Sequence, residues 1–112
     1  MAEKLKKGTV YLIEDKNNEV YKIGMTKRDA KKRLKQLQTG NSTNLELLET
    51  YETEYPHRLE TILHRRFKHK NTTGEWFSLT LEDVVNFKQT CESVDNIIHI
   101  MKDNPFFGKN LC

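Results

Sequence analysis

The sequence predicts an α+β domain of sandwich type, with a small antiparallel three-stranded sheet flanked by helices and an added C-terminal helix. Three patterns indicate this fold: two β-rich segments separated by a turn sequence, a third segment that alternates with strand period, and apolar residues at helical spacing elsewhere. The predicted order is β, β, α, β, α, (β), α. The 112 residues fit a single domain, with a core at about 8–79 and a helical extension at about 80–103.

The first two strands are predicted to form a hairpin. The segment from Gly8 to Glu14 is rich in β-forming residues, and the segment from Glu19 to Met25 follows it closely. Asn17 and Asn18 lie between them, and asparagine tolerates the positive φ that a tight reversal needs.

An amphipathic helix comes next. Thr26 offers an N-cap, and Ala30, Leu34 and Leu37 form an apolar stripe at helical spacing. Gly40 is expected to end this helix.

The second half of the chain continues with a strand and a helix. The segment from Leu45 to Thr53 alternates with the period of a half-buried strand. Pro56 suits the first turn of a helix that runs to about Lys70, and 76–79 is a candidate for a short extended segment.

The last predicted helix begins at Thr80. The Thr80 side chain is expected to cap this helix while Asp83 reaches back to the cap residue. The helix runs to about Ile100 or Lys102, with an interruption near Ser93.

Composition excludes several classes of protein. Hydrophobic residues make up 36% and charged residues 31% of the chain, as in ordinary globular domains. No apolar run approaches the ~18 to 20 residues that cross a bilayer, and no apolar signal segment follows the N-terminal lysines, so we expect no membrane contact. Cys91 and Cys112 form neither a metal cluster nor a disulfide framework, so the expected location is cytoplasmic, or nucleoid-associated if the protein is bound to DNA.

The distribution of charge predicts DNA as a partner, although the net charge is only +3. Residues 27–35 carry six cations against Asp29 alone, and residues 58–70 carry five against one glutamate. A molecule with one basic face and one acidic face would bind a polyanion. The residues predicted to contact DNA are Lys27, Arg28, Lys31, Lys32, Lys35, Arg65 and Arg66.

Five residues stand in an order that is typical of a known family. Tyr11 lies on the first strand, Lys22 and Gly24 lie on the second, and Arg33 and Glu60 lie on the two following helices. This arrangement resembles the signature of the GIY-YIG nuclease superfamily over most of the domain.

The resemblance implies a DNA endonuclease or nickase that hydrolyses phosphodiester bonds. It implies that Glu60 holds a single Mg²⁺ (or Mn²⁺), that Tyr11 deprotonates or orients the attacking water, and that Arg33 neutralises the phosphate. One carboxylate is enough, because Mg²⁺ keeps several waters and takes one or two protein oxygens plus a phosphate. The residues alone also allow a packed Tyr11, a solvated Arg33, and a surface Glu60 paired with His64 or Arg58.

Lys22 stands where the signature has its second tyrosine. Tyr21 comes one residue early and should point to the opposite side of the strand. With a lysine at this position, the sequence resembles a phage-associated branch of the superfamily. The lysine could bind the phosphate and do part of the work of the missing tyrosine. His64 is a further candidate, either for contact with phosphate or water or for a structural hydrogen bond.

The segment Gly74-Glu75-Trp76-Phe77 also resembles this branch. Glu75 is a candidate for a second metal or substrate ligand. We expect Trp76 and Phe77 to belong to the core.

Two other classes of function stay open. A catalytically weak or inactive DNA-binding module that retains the fold is favoured by Lys22, whereas the intact signature arginine and glutamate favour the enzyme. Alternatively, the C-terminal helix could mediate a homodimer through Ile97, Ile98 and Met101.

Overall fold

The computed structural model describes residues 7–40 and 43–102. Within these ranges the chain forms one five-stranded antiparallel sheet and four helices. The strands are β1 (Gly8–Asp15), β2 (Val20–Thr26), β3 (Leu45–Thr53), β4 (Asn71–Thr73) and β5 (Trp76–Phe77). The helices are α1 (Ala30–Thr39), α2 (Pro56–Arg66), α3 (Leu81–Val85) and α4 (Phe87–Met101). The predicted α+β class is confirmed.

The sheet is larger than the three strands predicted from the sequence. Its strand order is β3-β1-β2-β5-β4, so the two short strands extend the sheet beyond β2. Tyr21 pairs with Phe77 and Lys22 pairs with Trp76. Gly74, at φ 54°, lets the chain reverse between β4 and β5. The prediction was wrong because a three-residue strand of polar residues before a glycine has the composition of a loop.

The turn between β1 and β2 is organised by Asp15. Its Oδ1 accepts hydrogen bonds from the backbone N–H groups of Asn17 (3.0 Å) and Asn18 (3.2 Å). The Asn18 side-chain amide donates to Oδ2 at 2.8 Å. The positive φ, 56°, falls at Glu19 rather than at either asparagine, where it was predicted.

The sheet is covered by helices on both faces. Val10 and Leu12 of β1 face the main core, where α2 and α4 pack. Tyr11 and Ile13 face the other way, into a smaller core to which α1 contributes Leu34 and its neighbour Leu37. β1 is therefore buried on both faces, and α1 and α2 lie on opposite sides of the sheet.

The first helix begins later than predicted. Asp29 is its N-cap and accepts a hydrogen bond from the Lys31 N–H at 2.8 Å. Thr26, the predicted cap, instead accepts from the Arg28 N–H at 3.0 Å. Gly40 follows the last residue of α1, as predicted.

The C-terminal helical segment starts as predicted and breaks at a different position. Thr80 and Asp83 form a capping box, and the break lies at Asn86, between α3 and α4, rather than near Ser93. The predicted end of the extension, at residue 103, lies outside the described residues. In the ranges that the structure describes, no helix combines the length and apolar character needed to cross a membrane.

One of the α4 residues named for a dimer interface is buried in the structure. Ile98 is only 1% exposed and belongs to the main core, whereas Ile97 and Ile100 are exposed. The homodimer stays a prediction, and Ile98 is removed from its candidate residues.

Cys91 is also part of the main core. Burial raises the pKa of its thiol to about 12, and the charge of Asp95 adds to this effect. The thiol is therefore protonated and unreactive at neutral pH. The other cysteine, Cys112, lies outside the described residues.

Candidate functional site

A buried lysine on β2 pairs with a glutamate that immediately precedes β5. Lys22 is 8% exposed, and its Nζ lies 2.7 Å from Glu75 Oε1. The same Nζ lies 5.8 Å from the centroid of the Trp76 ring. Backbone pairing fixes this geometry, because Trp76 is opposite Lys22 and the Ile23 N–H donates to Glu75 O at 3.1 Å. A lysine this deeply buried needs such a partner.

Tyr11 and Gly24 form one unit across β1 and β2. They are register partners, and Tyr11 is 1% exposed. A Cβ at position 24 would lie 2.5 Å from Tyr11 Oη and 2.6 Å from Cζ. The Tyr11 ring therefore lies over the β2 backbone at a position where only glycine leaves room. Its hydroxyl reaches Gly24, which lies beyond the residues of β2 that pair with β5.

Glu60 lies in the field of several charged groups. Burial raises the pKa of its carboxyl, and the negative charge of Glu75 raises it further. His64, His57 and Lys22 act in the opposite direction. Glu60 is half-buried on α2, which packs against β2. The charges of Glu75 and Lys22 thus both act on the Glu60 carboxyl.

His64 is held by the backbone of β2. Its Nε2 lies 2.7 Å from Ile23 O, and because a carbonyl only accepts, Nε2 carries the proton and donates. Its ring also meets Phe77 edge-to-face, with centroids 5.0 Å apart. These contacts match the structural hydrogen bond that the sequence left open, and only Nδ1 remains for a substrate or water.

The carboxylate oxygens of Glu60 and Glu75 are the kind of ligand that a hard divalent cation prefers. Over residues 7–40 and 43–102, no group of three or more His, Cys, Asp or Glu side chains could hold a metal ion. Magnesium does not need such a group, because water and phosphate complete its shell. A cation beside Glu60 would offset the repulsion from Glu75 that raises the Glu60 pKa.

Arg33 lies on a neighbouring element. It is on α1, which contacts β1 and β3, and its Nη1 donates to Gln36 Oε1 at 3.4 Å. The structure brings Tyr11, Lys22 and Gly24 together on β1 and β2. Arg33 shares the sheet face of Tyr11, and its guanidinium contacts its own helix.

The predicted DNA contacts are divided between two faces of the sheet. One group belongs to α1 or its preceding loop and the other lies at the end of α2, on the opposite side. The first group is Lys27, Arg28, Lys31, Lys32 and Lys35, and the second is Arg65 and Arg66.

The loop before α1 and the start of α2 line a cavity of about 300 Å³. Lys27 and Arg58 both line it. Arg58 also lies 6.0 Å from the centroid of the Tyr55 ring. The sequence placed Arg58 in a basic segment without marking it as a DNA contact.

One family model covers nearly all of this architecture. The model of the T5orf172 domain matches residues 8–100. The chain belongs to the T5orf172 domain family. Searches of curated proteins and of solved structures found no match. The T5orf172 match runs through α3 into α4, and so includes most of the segment from residue 80 that the sequence suggested was an extension.

Two residues of this T5orf172 domain have larger roles in the structure than the sequence indicated. Glu75 is the ion-pair partner of Lys22, and Trp76 is half-buried and lines a cavity rather than being enclosed in the core. Phe77, expected in the core, is 1% exposed. The signal for Glu75 was its position beside Gly74 in the closing segment, but its pairing with a residue 53 positions away has no local signature.

Proposed function

We propose that this protein is a divalent-metal-dependent DNA endonuclease or nickase of GIY-YIG type, which hydrolyses phosphodiester bonds. The observation that carries this proposal is the cluster around β2, where Glu60 lies in the field of Glu75 and Lys22 and the hydroxyl of Tyr11 reaches Gly24. Membership of the T5orf172 family supports a nuclease or DNA-binding role.

Each residue of the cluster has a chemical role in this proposal. Glu60, with Glu75 beside it, would hold Mg²⁺ or Mn²⁺, which supplies positive charge at the scissile phosphate. The hydroxyl of Tyr11 orients the attacking water, and its position is fixed because the ring is buried. Lys22 holds the Glu75 carboxylate in place. Arg33 binds a phosphate oxygen through its planar donors.

A catalytically weak or inactive DNA-binding module is the second candidate. The Lys22–Glu75 ion pair favours it, because an ammonium already bound to a carboxylate is less available to clamp a phosphate in place of the missing tyrosine. In that case the T5orf172 fold would hold DNA through its basic residues and leave the phosphodiester intact.

Nicking of supercoiled plasmid in Mg²⁺ or Mn²⁺, with and without chelator, distinguishes the two candidates. Glu60→Gln preserves the shape of the side chain and removes its charge, so we expect nicking to fall by about 100-fold or more. Tyr11→Phe should also lower the rate. Glu92→Gln, at an exposed position of α4, is the matched control and should nick like the wild type.

Two outcomes would reject the nuclease. Equal nicking by the wild type and Glu60→Gln would place the activity outside this site. Salt-dependent DNA binding by both proteins, with nicking by neither, would support the binding module instead.

A further inference from the structure

A second cavity, of about 360 Å³, lies between the β1–β2 turn, β4 and Trp76, the residue that follows Glu75. Trp76 forms one wall, and Thr72 and Thr73 of β4 and Asn18 of the β1–β2 turn provide polar groups. Asp15 lies at its edge with its carboxylate engaged by the turn. The cavity therefore combines one aromatic surface with several hydrogen-bonding groups.

The Trp76 side chain packs partly against the core and partly lines the cavity. It packs against the smaller core, which contains Tyr11 and Ile13, and it is half-buried. The helix on this face, α1, packs on β1 and β3. The indole thus stands beside β2, and the Lys22 ammonium lies 5.8 Å from its centroid.

The polar wall is already ordered. Asn18 is held by its amide, which donates to Asp15 Oδ2 at 2.8 Å. The Thr72 hydroxyl donates to Trp76 O at 3.2 Å. A rigid aromatic surface with fixed polar groups beside it suits a planar ligand with polar edges, and a nucleobase has that chemistry.

We propose that the Trp76 cavity receives one unpaired nucleobase of the DNA strand whose phosphate lies at Glu60 and Lys22. The position of that phosphate rests on the proposed function. A base inside a continuous duplex has both faces covered by its neighbours, so it can stack on the indole only after it leaves the helix. The substrate is therefore DNA with a single-stranded or unpaired segment at the site of cleavage.

The fluorescence of the protein tests this directly, because Trp76 is the only tryptophan in the chain. In chelator, we expect a single-stranded oligonucleotide, and a duplex with an unpaired bulge, to quench the emission. A fully paired linear duplex of matched composition should bind without quenching. Gel retardation of the same samples measures binding independently.

Three variants separate stacking from folding. Trp76→Leu should weaken single-strand affinity by about 10-fold, and Trp76→Phe by less than about threefold, because stacking needs an aromatic ring. Tyr21→Leu is the matched control, since it removes a half-buried ring of β2 that packs against the opposite core, and its affinity should equal that of the wild type. Thr73→Phe fills the cavity from an exposed position and should weaken single-strand binding even if Trp76→Leu is unstable.

The outcomes distinguish this proposal from the nuclease itself. Binding without any change in emission, or unchanged affinity in Trp76→Leu or Thr73→Phe, would overturn the cavity assignment. If the protein nicks plasmid but its emission is not quenched, the nuclease proposal is supported and the base cavity is rejected. If single strands quench the emission but the protein never nicks plasmid, the base cavity is supported and the nuclease is rejected.

Discussion

At the scale of single residues, the need for glycine at position 24 comes from the neighbouring side chain and not from the backbone conformation of Gly24. Among the described glycines, positive φ occurs at Gly74, so the conformation of Gly24 is open to any residue. What excludes a side chain is the ring of Tyr11, whose Oη would lie 2.5 Å from the new Cβ. Because Tyr11 is only 1% exposed and belongs to the smaller core, its ring has little room to move away.

Gly24→Ala should therefore destabilise the protein by about 1 to 3 kcal/mol, the usual cost of forcing a methyl group into a packed site. Urea unfolding measures the change. Gly40→Ala is the control, because a Cβ there meets nothing within 4 Å and should change stability by less than about 0.5 kcal/mol. Equal effects of the two substitutions would contradict the steric explanation.

The sequence named Tyr11, Gly24 and Glu60 as candidates because they stand in the order of the family signature, and the structure pairs Tyr11 with Gly24 across β1 and β2. The sequence was not sufficient for Glu75, since the partner of this residue is set by the docking of β5 on β2. A pair that forms only after two distant segments meet leaves no periodic pattern in the sequence.

At the scale of elements, the long strands and the start of the C-terminal helical segment followed from sequence, while the short strands did not. β1 has a long run of β-forming residues, and β3 has enough residues for alternation to be visible. β5 has two residues, and its structure depends on the edge of β2 that it pairs with. The break between α3 and α4 at Asn86 was likewise misplaced by seven residues, because the sequence offers polar residues at both positions.

Asp83, on α3, binds Lys70, which directly precedes β4, and the cap residue Thr80, and its charge makes these contacts depend on pH. Its carboxylate accepts hydrogen bonds from the Lys70 ammonium and the Thr80 N–H. Burial alone would raise the pKa of Asp83, but the hydrogen bonds from Lys70 and Thr80 outweigh it and lower the pKa below its usual 3.8. A lowered pKa stabilises the folded protein above the unfolded value, and this stabilisation is lost as pH falls through the folded pKa.

Asp83→Asn should accordingly reduce the free energy of unfolding by about 1 to 2 kcal/mol at pH 7. The difference from the wild type should shrink as pH falls below about 4. Urea unfolding at pH 7 and at pH 3 measures both values. Glu82→Gln, an exposed carboxylate in the same helical turn, is the control and should show little effect at either pH. A deficit of equal size at pH 3 would show that packing, and not charge, is responsible.

At the scale of the whole molecule, the fold separates the basic residues that the sequence grouped together. The charge count along the chain suggested one basic face, but α1 and α2 pack on opposite sides of the sheet. Sequence position cannot reveal this, because the side on which each helix packs is set by the strand connections. The Trp76 cavity and Tyr11 share the α1 face, so these two parts of the proposed site lie on the same side as the cations of α1, whereas Glu60 lies on α2.

This geometry predicts unequal contributions to DNA binding from two pairs of cations. Lys31→Gln with Lys32→Gln removes two exposed charges from α1, and Arg65→Gln with Arg66→Gln removes two exposed charges from α2. If DNA lies across the α1 face, the α1 pair should reduce the slope of log K against log salt by about 2, since each neutralised phosphate contributes about one unit. The α2 pair should change the slope by less than about 0.5.

Because both variants lose the same formal charge, a general electrostatic effect would lower the two slopes equally. Titration of a labelled oligonucleotide at several salt concentrations gives both values. Equal slopes would mean that DNA contacts both faces of the sheet. A larger loss of slope from the α2 pair would indicate that DNA binds the α2 face, where His64 and Glu60 lie, and not the face of the Trp76 cavity. The unequal result, with the α1 pair dominant, would place the polyanion over the same face as the indole and the Tyr11 ring.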